Sequence, residues 1–89
     1  MDREILLSTR AQKEFKKLPI RTKERIRKAL KALASDSRST DIKKLRGIGG
    51  HRDLYRLRVG DYRITFHPEI DLIKVIRIDH RSRGYDWSD

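Results

Sequence analysis

The chain has 89 residues and no cysteine, so it is one domain's length of sequence that must hold together by packing, without disulfides or thiolate metal sites. Lysine and arginine number 23 against 13 acidic residues, a formal charge of +10, which favours polyanionic partners, phosphate backbones above all. No apolar run approaches the roughly 18 residues that span a bilayer, and Met1-Asp2-Arg3-Glu4 opens no secretory signal; a cytoplasmic protein without membrane contact is expected.

Glu4-Ile5-Leu6-Leu7 reads as a short strand entering the core. Thr9 and Gln12 have the spacing of a helix capping box, and Ala11, Phe15 and Leu18 then share one helical face. Pro19 cannot continue that helix, because its ring blocks the preceding turn and it lacks an N–H. A second helix restarts near Arg21 with Ile26, Ala29, Leu30 and Leu33 as its apolar stripe, and ends at Ser35-Asp36-Ser37. Residues 8–35 hold ten basic side chains and only Glu14 and Glu24 as acids. Such an excess fits a solvated face, an acidic partner or RNA. Residues 37–50, polar and glycine-rich, read as a loop containing Lys43, Lys44 and Arg46. A phosphate-cradling glycine loop would require a helix after it, and the next segment looks like a strand.

From Asp53 the period changes to two. Tyr55, Leu57 and Val59 share one face, with Leu54, Arg56 and Arg58 on the other; after Gly60-Asp61, Tyr62, Ile64 and Phe66 oppose Arg63, Thr65 and His67. Gly-first two-residue connections suit a II′ turn, and that loop length pairs Val59 with Tyr62, Arg58 with Arg63, Leu57 with Ile64 and Arg56 with Thr65. After a turn at residues 68–71, Leu72–Ile78 reads as a central strand. The expected fold is α+β: an N-terminal strand, a helical hairpin, then a three-stranded antiparallel meander, with both helices on one face of a single sheet. It forms one domain over residues 1–89.

Like charges directly opposed on a sheet are destabilising, so folding has no need of Arg58 facing Arg63. A phosphate between them reverses that repulsion, because guanidinium presents a planar fork to its oxygens. His80, Arg81 and Arg83 come after the last strand, and the cations around His80 favour its neutral form. Tyr85 and Trp87 lie in a polar tail; Tyr85 suits base stacking and Trp87 an edge of the core. His51 reads as a surface residue. No metal-ligand spacing links the three histidines, and no Ser-His-Asp arrangement is visible.

Leu45-Arg46-Gly47, Tyr55-Arg56-Leu57-Arg58, Gly60-Asp61-Tyr62-Arg63-Ile64 and His80-Arg81-Ser82-Arg83-Gly84-Tyr85 together resemble the RelE/ParE toxin superfamily of toxin–antitoxin pairs, over nearly the whole chain. The resemblance implies a basic, concave sheet surface that receives messenger RNA in the ribosomal A site and cleaves it by attack of the ribose 2′-OH on the adjacent phosphate, without metal or cofactor. It implies Arg58, Arg63, Arg81 and Tyr85 as catalytic residues, with Arg56 positioning the RNA backbone; Lys44, His80 and Arg83 are further candidates for binding RNA. Some members carry lysines where Arg56 and Arg58 stand, and arginine effectively cannot lose its proton; acid–base duty then falls to Tyr85, His80 or His67. The implied partners are the ribosome, messenger RNA and an acidic RelB-like antitoxin. ParE-like members, which inhibit DNA gyrase and cut nothing, and a passive RNA-binding module are the alternatives.

Overall fold

The computed structural model describes residues 3–35, 42–45 and 54–83. Strand β1 (Glu4–Leu7) leads into helices α1 (Thr9–Lys16) and α2 (Ile20–Ala34), and then β2 (Ile42–Leu45), β3 (Leu54–Val59), β4 (Tyr62–Pro68) and β5 (Leu72–His80). A short 3₁₀ turn, Arg81–Arg83, closes the described chain. The five strands form one sheet in the order β1-β5-β4-β3-β2, with β1 parallel to β5 and every other pair antiparallel. This is the expected α+β arrangement, with one strand more than expected. Ile42–Leu45, read as loop, is an edge strand on β3. Four residues with apolar side chains only at the ends show no period of two, and Lys43 and Lys44 are the charges that keep such an edge from pairing further.

The helix boundaries obey local chemistry. The Ser8 hydroxyl accepts from the Ala11 amide at 3.0 Å, so the N-cap is Ser8 and the Thr9–Gln12 box does not form. The Gln12 side-chain amide donates instead to the Leu7 carbonyl. Ser8 also donates to the Ile76 carbonyl at 2.7 Å, and the Glu14 carboxylate accepts from the Ile78 amide at 2.8 Å. These two side chains satisfy the edge of β5 where β1 has ended, a part of the sheet otherwise open to further pairing. Helix α1 stops one turn before Pro19, and α2 starts directly after it.

One face of the sheet packs on the helices. Ala11, Ile26 and Leu30 meet Leu57, Ile64, Phe66, Ile73, Val75 and Ile78 in a single core. Ile26, Ile64, Ile73 and Val75 are wholly buried, and truncating any of these isoleucines to alanine removes about 2–5 kcal/mol from a domain of this kind. Phe15 joins the two helices, with the Lys23 ammonium 5.9 Å and the Arg27 guanidinium 5.6 Å from its ring centroid. Beside it a cleft of about 370 Å³ runs between β1 and the helices, lined by Ile5, Leu7, Phe15 and Leu30 together with Arg27 and Lys31. The hairpin turn needs glycine at its first position: Gly60 has φ +59°, a conformation that costs other residues roughly 1–2 kcal/mol.

Candidate nucleic-acid interface

The observed β3–β4 register is the one that the two-residue loop predicts, from Val59 opposite Tyr62 through Arg56 opposite Thr65. Pairing with the outer strands extends it. Lys43 of β2, Arg56 of β3, Thr65 of β4 and Arg77 of β5 form one row across four strands, which at about 4.8 Å per strand spans roughly 14 Å. The next row holds Arg58, Arg63 and Asp79, and a third pairs His67 with Lys74. These residues alternate with Leu57, Ile64 and Phe66 of the core, so they occupy the sheet face turned away from the helices.

Arg58 is exposed, and Arg56, Arg63 and His67 are half-buried. The Arg58–Arg63 opposition costs some fraction of about 1 kcal/mol in the unliganded sheet, and a bound phosphate converts it into attraction. On β5, where these rows end, lies a buried ion pair, Arg77 Nη2 to Asp79 Oδ1 at 3.1 Å, with both side chains less than a tenth exposed. Burial pushes the Asp79 carboxyl above its ordinary value; the Arg77 guanidinium opposes this, and the Glu14 carboxylate adds to it. Among the described residues the buried Asp79 Oδ2 and Thr65 Oγ1 atoms have no hydrogen-bond partner.

Arg81 stands at the end of this face, held by the hairpin turn. Its amide donates to the Asp61 carbonyl at 2.7 Å, and its Nε lies 3.7 Å from Asp61 Oδ1. Arg56, Arg58, Arg63 and His67 therefore come together, with Arg81 beside them, whereas two other expected residues do not join them. His80 lies opposite Tyr62, on the helix side of the sheet, with its ring edge-on to that tyrosine at 5.0 Å. Lys44 lies opposite Tyr55, also on the helix side, and its neighbour Lys43 takes the position beside Arg56. Arg83 is part of the 3₁₀ turn, and its side chain lies outside the described residues, as do Tyr85, Trp87, Arg46 and His51. Among the described residues no three His, Asp or Glu side chains gather as a metal site requires, and no helix is long and apolar enough to cross a membrane.

Sequence reasoning missed Lys43, Arg77 and Asp79. A signal for the ion pair was present: opposite charges two residues apart in an otherwise apolar strand share a face and pair there.

A profile of the family described as the ParE toxin of the type II toxin–antitoxin system parDE matches residues 5–85. Toxin RelE3 of Methanocaldococcus jannaschii is 30% identical over 84 residues, covering 93% of this chain and 96% of that protein. Two solved complexes contain similar folds. The RelB–RelE antitoxin–toxin complex of Methanococcus jannaschii has 31% identity and a TM-score of 0.72, over 94% of this chain and 99% of that one. The archaeal RelE–RelB complex of Pyrococcus horikoshii OT3 has 28% identity and a TM-score of 0.70, over 94% and 100%. With its strand order, basic sheet face and matched length, the chain belongs to the RelE/ParE superfamily of type II toxin–antitoxin toxins.

Proposed function

We propose that this toxin is a ribosome-dependent endoribonuclease that cuts messenger RNA in the ribosomal A site. The observation that carries the reading is the grouping of Arg56, Arg58 and Arg63 on one sheet face, with Arg81 at its end. In the reaction the 2′-oxygen of a ribose bonds to the adjacent phosphorus and the bond to the 5′-oxygen breaks. The 2′-hydroxyl proton leaves to a base, and the departing 5′-oxygen takes one up. Negative charge grows on the non-bridging oxygens, and fixed cations aimed there stabilise the transition state more than the ground state. Arg58, Arg63 and Arg81 serve that role, while Arg56 and Lys43 hold the backbone. Of the proton-transfer candidates, His67 shares the arginine face, and Tyr85 is assigned by the family resemblance. No metal or cofactor enters this scheme, and the site of action is the cytoplasm.

The partner is an acidic RelB-like antitoxin. Supporting this are the complexes that similar toxins form and the apolar cleft between β1 and the helices, whose cations Arg27 and Lys31 suit an acidic amphipathic segment. Reversing both charges, Arg27→Glu with Lys31→Glu, should weaken capture of that antitoxin by at least about tenfold in titration calorimetry and leave cleavage by the free toxin intact. Unchanged affinity would remove the cleft from the interface.

A second reading, inhibition of DNA gyrase without cleavage, is favoured by one observation, the match to the ParE profile. Primer extension on mRNA from a translating extract separates the two. In-frame cuts inside translated codons are expected; intact mRNA with trapped or broken DNA would establish the gyrase reading, and intact mRNA with intact DNA a passive RNA-binding module.

A further inference from the structure

His80 ends β5 immediately before the turn that carries Arg81, on the side of the sheet away from the arginine face. Its ring lines a cleft of about 170 Å³ with Glu14, Lys17, Leu18, Tyr62 and Ile78. Two contacts define its chemistry. The Ser82 backbone amide donates to His80 Nδ1 at 3.1 Å, and the Ser82 hydroxyl lies 2.7 Å from the same nitrogen. A backbone amide can only donate, so Nδ1 must present a lone pair. Nδ1 is therefore the acceptor of this hydrogen bond. Its geometry is that of a helix cap, with a side-chain acceptor satisfying an amide two residues on that the first turn leaves without a partner.

We propose that His80 is a positioning residue for Arg81: its imidazole caps the Arg81–Arg83 turn through Nδ1 and thereby fixes the direction in which the Arg81 side chain leaves the sheet. Asp61 secures the Arg81 amide from the hairpin turn, and His80 secures the next amide along, so the Arg81 backbone is clamped on both sides. The proposal rests on the reading of Arg81 as part of the cleavage face.

Glu14, Lys17 and Leu18 from the helix side and Tyr62 and Ile78 from the sheet line the cleft with the ring, and Glu14 is already engaged by the Ile78 amide. The result is a latch on one catalytic arginine, built from a residue that touches no substrate.

Two variants separate the cap from the ring. His80→Asn keeps an acceptor that can reach the Ser82 amide; His80→Ala removes it. In amide-resolved hydrogen-exchange NMR of the full chain, the Ser82 amide should be protected in the wild type and in His80→Asn. In His80→Ala the Ser82 amide should exchange freely with solvent. Single-turnover mRNA cleavage near pH 7.5 should fall by about 10-fold or more in His80→Ala, in the rate constant rather than in the substrate concentration required. His80→Asn should recover most of that loss. Adding His80→Ala to Arg81→Ala should cost nothing further. A Ser82 amide equally protected in the wild type and in His80→Ala, or a His80→Ala toxin cleaving at the wild-type rate, would overturn the latch. If the wild type cleaves no RNA, the nuclease reading falls, and the NMR arms still decide whether His80 holds the turn.

Discussion

Arg58→Ala should lower the single-turnover rate of mRNA cleavage by about 100- to 1000-fold, the effect of removing one fixed charge or donor from a transition-state anion, while the protein stays folded. Arg58 is exposed and lies directly opposite Arg63. Nothing in the core depends on it, so unfolding free energy should stay within about 0.5 kcal/mol of wild type, with relief of the cross-strand repulsion acting in favour of the variant. Binding and chemistry can be read apart. Each lost phosphate contact should reduce the salt dependence of RNA affinity by about one unit of slope, a modest change beside the loss of rate. Arg63→Lys supplies the second arm: it keeps the charge and discards the planar fork, so its rate should fall between those of wild type and Arg63→Ala. Equal rates for Arg63→Lys and wild type would reduce the face to a diffuse positive field. An Arg58→Ala protein that cleaves normally would take the arginine row out of the mechanism.

The hairpin was legible in the chain because two independent signals agree there. The period of two sorts Leu57 from Arg58 and Ile64 from Arg63, and the Gly60-Asp61 connection sets which residues meet. The helices were legible for a similar reason, an apolar stripe interrupted by a proline. What escaped was parity in β5. Counting strictly by two from Val75 would set Arg77 and Asp79 toward the helices and His80 toward the arginines. The register shift at Thr65/Phe66 leaves Ile76 unopposed, and one extra residue inverts every face after it. Val75 and Ile78 both enter the core, Arg77 and Asp79 land on the basic face, and His80 turns to the helix side. The place of the bulge was not legible, because Ile73, Val75, Ile76 and Ile78 put apolar side chains on both faces of the strand and so give no period from which to count. Strand β2 escaped for a different reason, since Ile42 and Leu45 are too few to establish a period.

The buried pair that this inversion creates carries the second large expectation. Asp79→Ala should destabilise the domain by about 3 kcal/mol, and so lower the melting temperature by on the order of 15 °C, because the buried Arg77 guanidinium loses the oxygen that accepts its hydrogen bond, which the Asp79 carboxyl offers in either protonation state. Replacing both members with apolar residues of similar size should recover most of that loss, which distinguishes a charge effect from a cavity. The pH dependence has a definite sign. Burial holds the Asp79 carboxyl above its ordinary value of 3.8, so on acidification the folded protein takes up this proton before the unfolded chain does. Stability from this group therefore rises as the pH falls through that window and is absent at neutrality, the reverse of ordinary acid denaturation. Against Asp79→Asn, which cannot titrate, the wild type should gain relative stability in denaturant melts as the pH is brought from 7 toward about 4. A relative stability that shrinks over that range would mean that the Arg77 attraction outweighs the cost of burial, and that Asp79 works as an ordinary ionised partner at the floor of the arginine face.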